Sequence, residues 1–266
     1  MRNRILVACI GVPVILVVLF VLPEAFTPAL IAVLSVIGTY EALHAIGMNH
    51  PRIALYTALV ALAVPFWVYF GESRPIGLAV LLAYLVVVFA EAFASHLRVK
   101  IDRVGAGLFF AFVISYCLSS VVRVGNLELR DSYVFLPILL PFVVDAGAMF
   151  VGMFLGKHHF APVLSPKKTV EGAIFGVIGG TLAGLVCRAV FVYVFHMQMP
   201  GIPATIALGL IGSAAGEIGD LAASLLKRHS GIKDYGHIFP GHGGVMDRFD
   251  SVIFTLIVMY CYTLVL

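Results

Sequence analysis

Glu217 and Asp220 lie three residues apart in an apolar run, and Ser224 and Arg228 continue the series at intervals of four. On a helix, that spacing sets all four on one face. Two carboxylates at the inner end of a membrane helix repel each other and resist ionising unless a cation stands between them. A metal ion would serve, and so would a basic side chain, for which Lys227 and Arg228 are the neighbours in sequence. Two more carboxylates, Asp247 and Asp250, arrive at the next apolar run, so a divalent ion is the stronger expectation. Hard oxygen donors without a matching His/Cys set suit magnesium rather than zinc.

Between these acids the chain reads Lys233-Asp234, then Gly236, Gly241, Gly243 and Gly244 interleaved with His237 and His242. Glycines permit turns whose N–H groups converge on an anion. Lys227, Arg228, Lys233 and Arg248 add positive charge. Carboxylates, glycine-rich turns and cations together are what phosphoryl transfer requires. A second polar cluster, Ser165-Pro-Lys167-Lys168-Thr169-Val-Glu171-Gly172, opens another apolar run. Ser165 and Pro166 read as a helix cap and first turn, and a helix start carrying two lysines is a phosphate site. Asp145 stands alone in mid-run, where an acid is a site candidate by default or pairs with a neighbouring helix.

The elements that hold these residues are membrane helices. The chain is 61% hydrophobic and 12% charged, against about 25% charged in soluble domains. Its mean hydropathy is +1.07, so the solvent for most of its surface is lipid. Nine apolar runs approach the length a bilayer requires: 5–22, 26–47, 53–70, 75–94, 105–123, 132–156, 171–195, 203–227 and 249–266. The first, behind Arg2 and Arg4, resembles a signal peptide but lacks a clear cleavage site and reads as a span. Cys9, Cys117, Cys187 and Cys261 sit in apolar runs without metal spacing. With the N-terminus cytoplasmic, 13 of the 17 Lys and Arg residues fall on the cytoplasmic side. The C-terminus is then on the opposite side, and the loops 157–170 and 228–248 are cytoplasmic.

The expected fold is therefore an all-α polytopic membrane protein. Residues 1–94 form an N-terminal scaffold of four spans, 95–131 a middle span and connections, and 132–266 the catalytic region. Residues 131–266 hold 18 of the 26 glycines, many four apart: Gly172, Gly176, Gly180 and Gly184; Ala148, Gly152 and Gly156; Gly212 and Gly216. Small residues at this spacing let helix backbones approach closely in lipid.

The run Ser224-x-x-Lys227-Arg228-x4-Lys233-Asp234-x-Gly236-x2-Phe239-Pro240-x-His242-Gly243-Gly244-Val245-x-Asp247-Arg248-Phe249-Asp250 resembles the signature of the CDP-diacylglycerol synthase (phosphatidate cytidylyltransferase) family. Ser165–Gly172, the Asp145-Ala-Gly-Ala segment and Gly219-Asp220 are also similar, so the resemblance covers about residues 145–250. It implies that CTP and phosphatidate give CDP-diacylglycerol and pyrophosphate with magnesium, and that a potassium ion is a candidate second cation. It implies a homodimer among membrane lipids, and no nucleic-acid partner is expected. Asp220 and Asp247 match the family's metal positions, with Glu217, Asp145 and Asp250 as further candidates. Lys233 and Arg248 join those two as catalytic candidates. Ser165, Lys167, Lys168, Thr169, Ser224, Lys227, Arg228, His242, Gly243 and Gly244 are candidates for binding substrate. A chain without appended soluble domains suits a bacterial inner membrane. Rival readings are a polyprenol kinase, which would release a nucleoside diphosphate, and an ion-coupled transporter.

Overall fold

A computed structural model describes residues 2–48, 50–95, 101–126, 130–239 and 243–265. The elements are helical: α1 (Arg2–Phe20), α2 (Phe26–Ala45), α3 (Pro51–Tyr69), α4 (Arg74–Ala94), α5 (Ile101–Leu118), the short α6 (Ser120–Arg123), α7 (Arg130–Leu155), α8 (Val170–Tyr193), α9 (Ile202–His229) and α10 (Met246–Thr263). Among the described residues no strand forms, only isolated bridges at His159–Thr169 and Phe239–Gly243.

Each apolar run became a helix because a hydrocarbon solvent leaves the backbone no partner but itself. Pro13, Pro65, Pro137 and Pro141 stay inside helices, as membrane helices tolerate. Among the described residues, seven helical stretches are long and apolar enough to cross a bilayer. α10 falls outside that set because Asp247, Arg248 and Asp250 crowd its first turns. In α1 the apolar stretch among the described residues is Gly11–Phe20. Leu78, Leu82, Val86 and Phe93 of α4 lie more than half exposed on its outer side, an arrangement that lipid favours and water would not.

The described chain divides into two compact units. The first comprises residues 1–123 and the loop 229–248. Its centre is α2, whose apolar stretch is 61% buried, against 11% for α4. Leu43 and Ile53 are fully enclosed there, and Thr57 shares a 3.0 Å hydrogen bond with the Tyr84 hydroxyl.

The second unit comprises residues 124–228 and 249–266. Its helices meet through the glycines the spacing singled out. A side chain at Gly172 would strike the Ala148 carbonyl of α7 at 2.7 Å, and one at Gly176 would stand 3.0 Å from that of Val144. Gly209 leaves room for the Thr181 backbone, and Gly212 and Gly216 for Thr255 of α10. Backbone-to-backbone approach is what holds these helices together in lipid.

One local expectation is corrected. Ser165 does not cap a helix: its carbonyl accepts from the Lys168 N–H at 3.1 Å, closing a turn. α8 begins at Val170, and its cap is Thr169, whose Oγ1 accepts from the Gly172 N–H at 3.1 Å. Thr169 is extended (φ −120°, ψ 152°), as a cap residue must be. Four residues separate Ser165 from that role because the chain must first cross the end of α7, where Thr169 packs on Gly152 and Gly156.

Candidate functional site

Glu217 and Asp220 share one face of α9, as their spacing requires, and a cation does stand between them. It is Lys168, from the turn before α8. Its Nζ donates to Glu217 Oε2 at 2.5 Å and reaches Asp220 Oδ2 at 2.8 Å. Of the two neighbours in sequence, Lys227 lies within electrostatic reach of Asp250. Arg228 instead donates from Nε to the Leu164 carbonyl at 3.2 Å, tying the loop 157–169 to the end of α9. Glu171 shapes the same loop by accepting from the Lys157 and His158 N–H groups at 3.1 and 3.3 Å. Burial acts to lower the Lys168 pKa, but the Asp220 and Glu217 carboxylates outweigh it and hold the group above its ordinary value. The ammonium is thus a firm charge.

Glu217 itself is buried, and its second oxygen, Oε1, has no hydrogen-bond partner among the described residues. An orphaned carboxylate oxygen in apolar surroundings is costly. Asp250, also buried, lies within electrostatic reach of Asp220, Lys227 and Asp145. Asp145 is exposed on α7. Four acids of the second unit therefore belong to one electrostatic neighbourhood. Among the described residues no three His, Cys, Asp or Glu side chains converge closely enough to form a ready-made metal cluster. The donor set nevertheless fits magnesium: the donors are hard oxygens, one is orphaned, and a monocation already bridges two of them.

The glycine-rich loop belongs to the first unit and is organised by carboxylates of its own. Asp247 Oδ2 accepts from the Tyr235 N–H at 2.8 Å and the Gly244 N–H at 2.9 Å. Gly243 sits at φ 82°, a conformation glycine adopts freely, and its carbonyl accepts from the Phe239 N–H at 3.0 Å. The Val245 and Met246 N–H groups, at the start of α10, donate to Glu41 of α2 at 3.1 and 2.8 Å. Among the described residues, these N–H groups donate to protein carboxylates.

Glu41 is the residue that sequence reasoning missed. It is separated from the loop by some two hundred positions, and the spans before residue 95 read only as scaffold. Its one signal was a lone acid inside an apolar run, the signal that picked out Asp145.

The other candidates are placed as follows. Lys167, Lys233, Asp234 and Arg248 are exposed, Lys227 and Ser224 half-buried. His242 lies outside the described residues. Ser224 and Asp220 share the α9 face, while Asp247 and Asp250 stand three residues apart at the start of α10. Within the first unit, the exposed Lys233 and Arg248 can gather phosphate charge; within the second, the α9 carboxylates offer hard oxygen donors.

Known proteins are similar to this chain in sequence. The phosphatidate cytidylyltransferase of Bacillus subtilis (strain 168) is 39% identical over 160 residues, 60% of this chain and 58% of that protein. Those of Staphylococcus aureus (strain COL) and Staphylococcus epidermidis (strain ATCC 12228 / FDA PCI 1200) are 39% and 40% identical over 156 residues. Those alignments cover 55% of this chain and 58% of each relative, so the chain spans little more than half the length of the curated relatives it matches. The model of the cytidylyltransferase family matches residues 2–266, which takes in the early helices as well as the motif. With that match running from α1 to the end of α10, the chain belongs to the cytidylyltransferase family.

Proposed function

We propose that the protein transfers the cytidylyl group of CTP to phosphatidate, giving CDP-diacylglycerol and pyrophosphate for phospholipid synthesis. The observation that carries this reading is the unbroken motif from Ser224 to Asp250 in a chain of this family. The bridged pair Glu217 and Asp220 supports it, since it supplies hard oxygen donors around the Lys168 ammonium. A phosphate oxygen of phosphatidate attacks the α-phosphorus of CTP. The new P–O bond forms as the bond to the β-phosphate oxygen breaks, and pyrophosphate leaves. Phosphatidate brings its nucleophile already ionised, so no strong base is required.

Asp220 and Asp247 hold magnesium in this proposal, with Glu217, Asp145 and Asp250 as added carboxylates and potassium as a second cation. Bound there, magnesium supplies charge neutralisation for the triphosphate and the departing pyrophosphate. Lys167, Lys233 and Arg248 are exposed and gather phosphate charge. Lys168 shields Asp220 and Glu217 until a stronger cation arrives. Thr169, with Ser165 in the turn before it, sets the course of the loop that carries the lysines, and Ser224 lines the same α9 face as Asp220.

The further reading is a protein of nine spans in a bacterial inner membrane, acting as a homodimer, with its site on the cytoplasmic side. Supporting it are the bias of 13 of 17 basic residues to one set of loops and the bacterial relatives. The test is to incubate purified protein with labelled CTP, phosphatidate and magnesium, with a chelator as control. CDP-diacylglycerol and pyrophosphate are expected only with all three present. A nucleoside diphosphate as product would favour a lipid kinase, and ion flux in proteoliposomes without CTP a transporter.

A further inference from the structure

We infer that Glu41, on the second helix of the chain, is a positioning residue for the motif that begins α10. The inference rests on the cytidylyl-transfer reading and extends its machinery to the N-terminal helices. Glu41 is 3% exposed. Oε1 accepts from the Val245 N–H at 3.1 Å and Oε2 from the Met246 N–H at 2.8 Å. Both donors are orphans of a helix start, where no carbonyl of the helix itself can reach them. A carboxylate there also meets the positive end of the helix dipole. One acid thus meets two unsatisfied donors, and each justifies the other's burial.

The loop is built around this carboxylate. A side chain on Gly244 would collide with both Glu41 oxygens, and one on Gly236 with Oε1. These motif glycines are therefore small because Glu41 fills the space beside them. On the α2 side, Gly38 sits one turn before Glu41 and leaves room for Met246, whose sulfur lies 3.6 Å from where a Cβ would stand. Asp247 follows directly on the two anchored residues and holds Tyr235 and Gly244 in turn. Glu41 and Asp247 together fix the loop from both sides. With both oxygens engaged and almost no exposed surface, Glu41 does not touch substrate; it acts by holding Val245 to Asp247 in one conformation.

Glu41→Gln tests this. The amide keeps one acceptor but turns a donor toward one of the two N–H groups. Hydrogen exchange on the detergent-solubilised full chain should show residues 243–247 exchanging at least about tenfold faster than in the unsubstituted protein. Turnover should fall about 10- to 100-fold, as for supporting partners of ligand groups. The KM for phosphatidate should stay unchanged while the magnesium concentration for half-activity rises. Glu41→Asp, which keeps the charge at shorter reach, should recover part of both effects. Wild-type exchange at 243–247 in Glu41→Gln would overturn the anchoring. Faster exchange with normal turnover and magnesium dependence would overturn the positioning role and leave Glu41 a purely structural cap. An unsubstituted protein that makes no CDP-diacylglycerol would defeat the reaction reading instead, and the exchange comparison would still decide the anchoring.

Discussion

The two acidic regions satisfy their carboxylates in different ways. In the loop 229–248 with α2, Glu41 and Asp247 accept from four backbone N–H groups, donors that stay with the fold. On α9, Glu217 and Asp220 are balanced by one long side chain, the Lys168 ammonium, and one Glu217 oxygen has no hydrogen-bond partner among the described residues. A carboxylate held by backbone amides is architecture. A carboxylate held by a lysine can trade its partner for another cation. The contrast separates acids whose position the backbone fixes, Asp247 of the proposed metal pair among them, from acids whose present partner can leave.

The largest effect should come from the exchangeable region. Asp220→Asn should cut pyrophosphate release about 10³-fold, the scale of losing a group that supports developing charge. Near-normal turnover at ordinary magnesium would remove Asp220 from the metal site and erase the contrast. Lys168→Met should come next. It leaves two carboxylates facing each other without a counter-charge. With Asp220 a quarter exposed, the cost should be about 2–3 kcal/mol, below the range for a fully buried pair. Thermal unfolding in detergent measures it, and millimolar magnesium should restore much of the loss by binding the folded state. A deficit indifferent to magnesium would mean that the pair is structural only. The raised Lys168 pKa also sets a pH window. Its contribution is complete below the ordinary lysine value of 10.5 and is lost only as pH climbs through the folded-state value. Between pH 6 and 9, Lys168 should therefore contribute no slope to unfolding.

The fixed region should respond to crowding. Gly244→Ala pushes a methyl group into the Glu41 carboxylate and should cost about 1–3 kcal/mol, the range for overpacking. Stability unchanged within error would show that the loop can yield and is not architecture. The smallest effect serves as a baseline: Arg52→Ala removes a 3.3 Å pair with Glu91 at a two-thirds exposed arginine. It should change unfolding by less than about 1 kcal/mol, and less still in salt.

Much of this was legible before any coordinates. Composition and nine apolar runs led to helices, because a bilayer allows little else. The glycine spacings on α7, α8 and α9 predicted close packing; Gly172 and Gly176 meet backbone carbonyls, while Gly184 and Gly212 lie against Leu140. The i, i+3 acids on α9 predicted an intervening cation. Which cation was not legible: Lys168 is 49 positions from Glu217, and Lys227 and Arg228 were nearer in the chain. The cap of α8 was placed four residues early, since Ser-Pro is a good local start signal and the path around the end of α7 is not a local property.

What the amino-acid order determined alone was every feature set by short range or by solvent: the helices, their lipid-facing character, the shared faces and the family motif. Only the folded chain decided which distant groups satisfy one another. It gave Lys168 to Glu217 and Asp220, and it gave the loop's N–H groups to a glutamate on α2. The physical reason is that a charge buried away from water must find a partner wherever the packing brings one, and spacing along the chain carries no record of that choice.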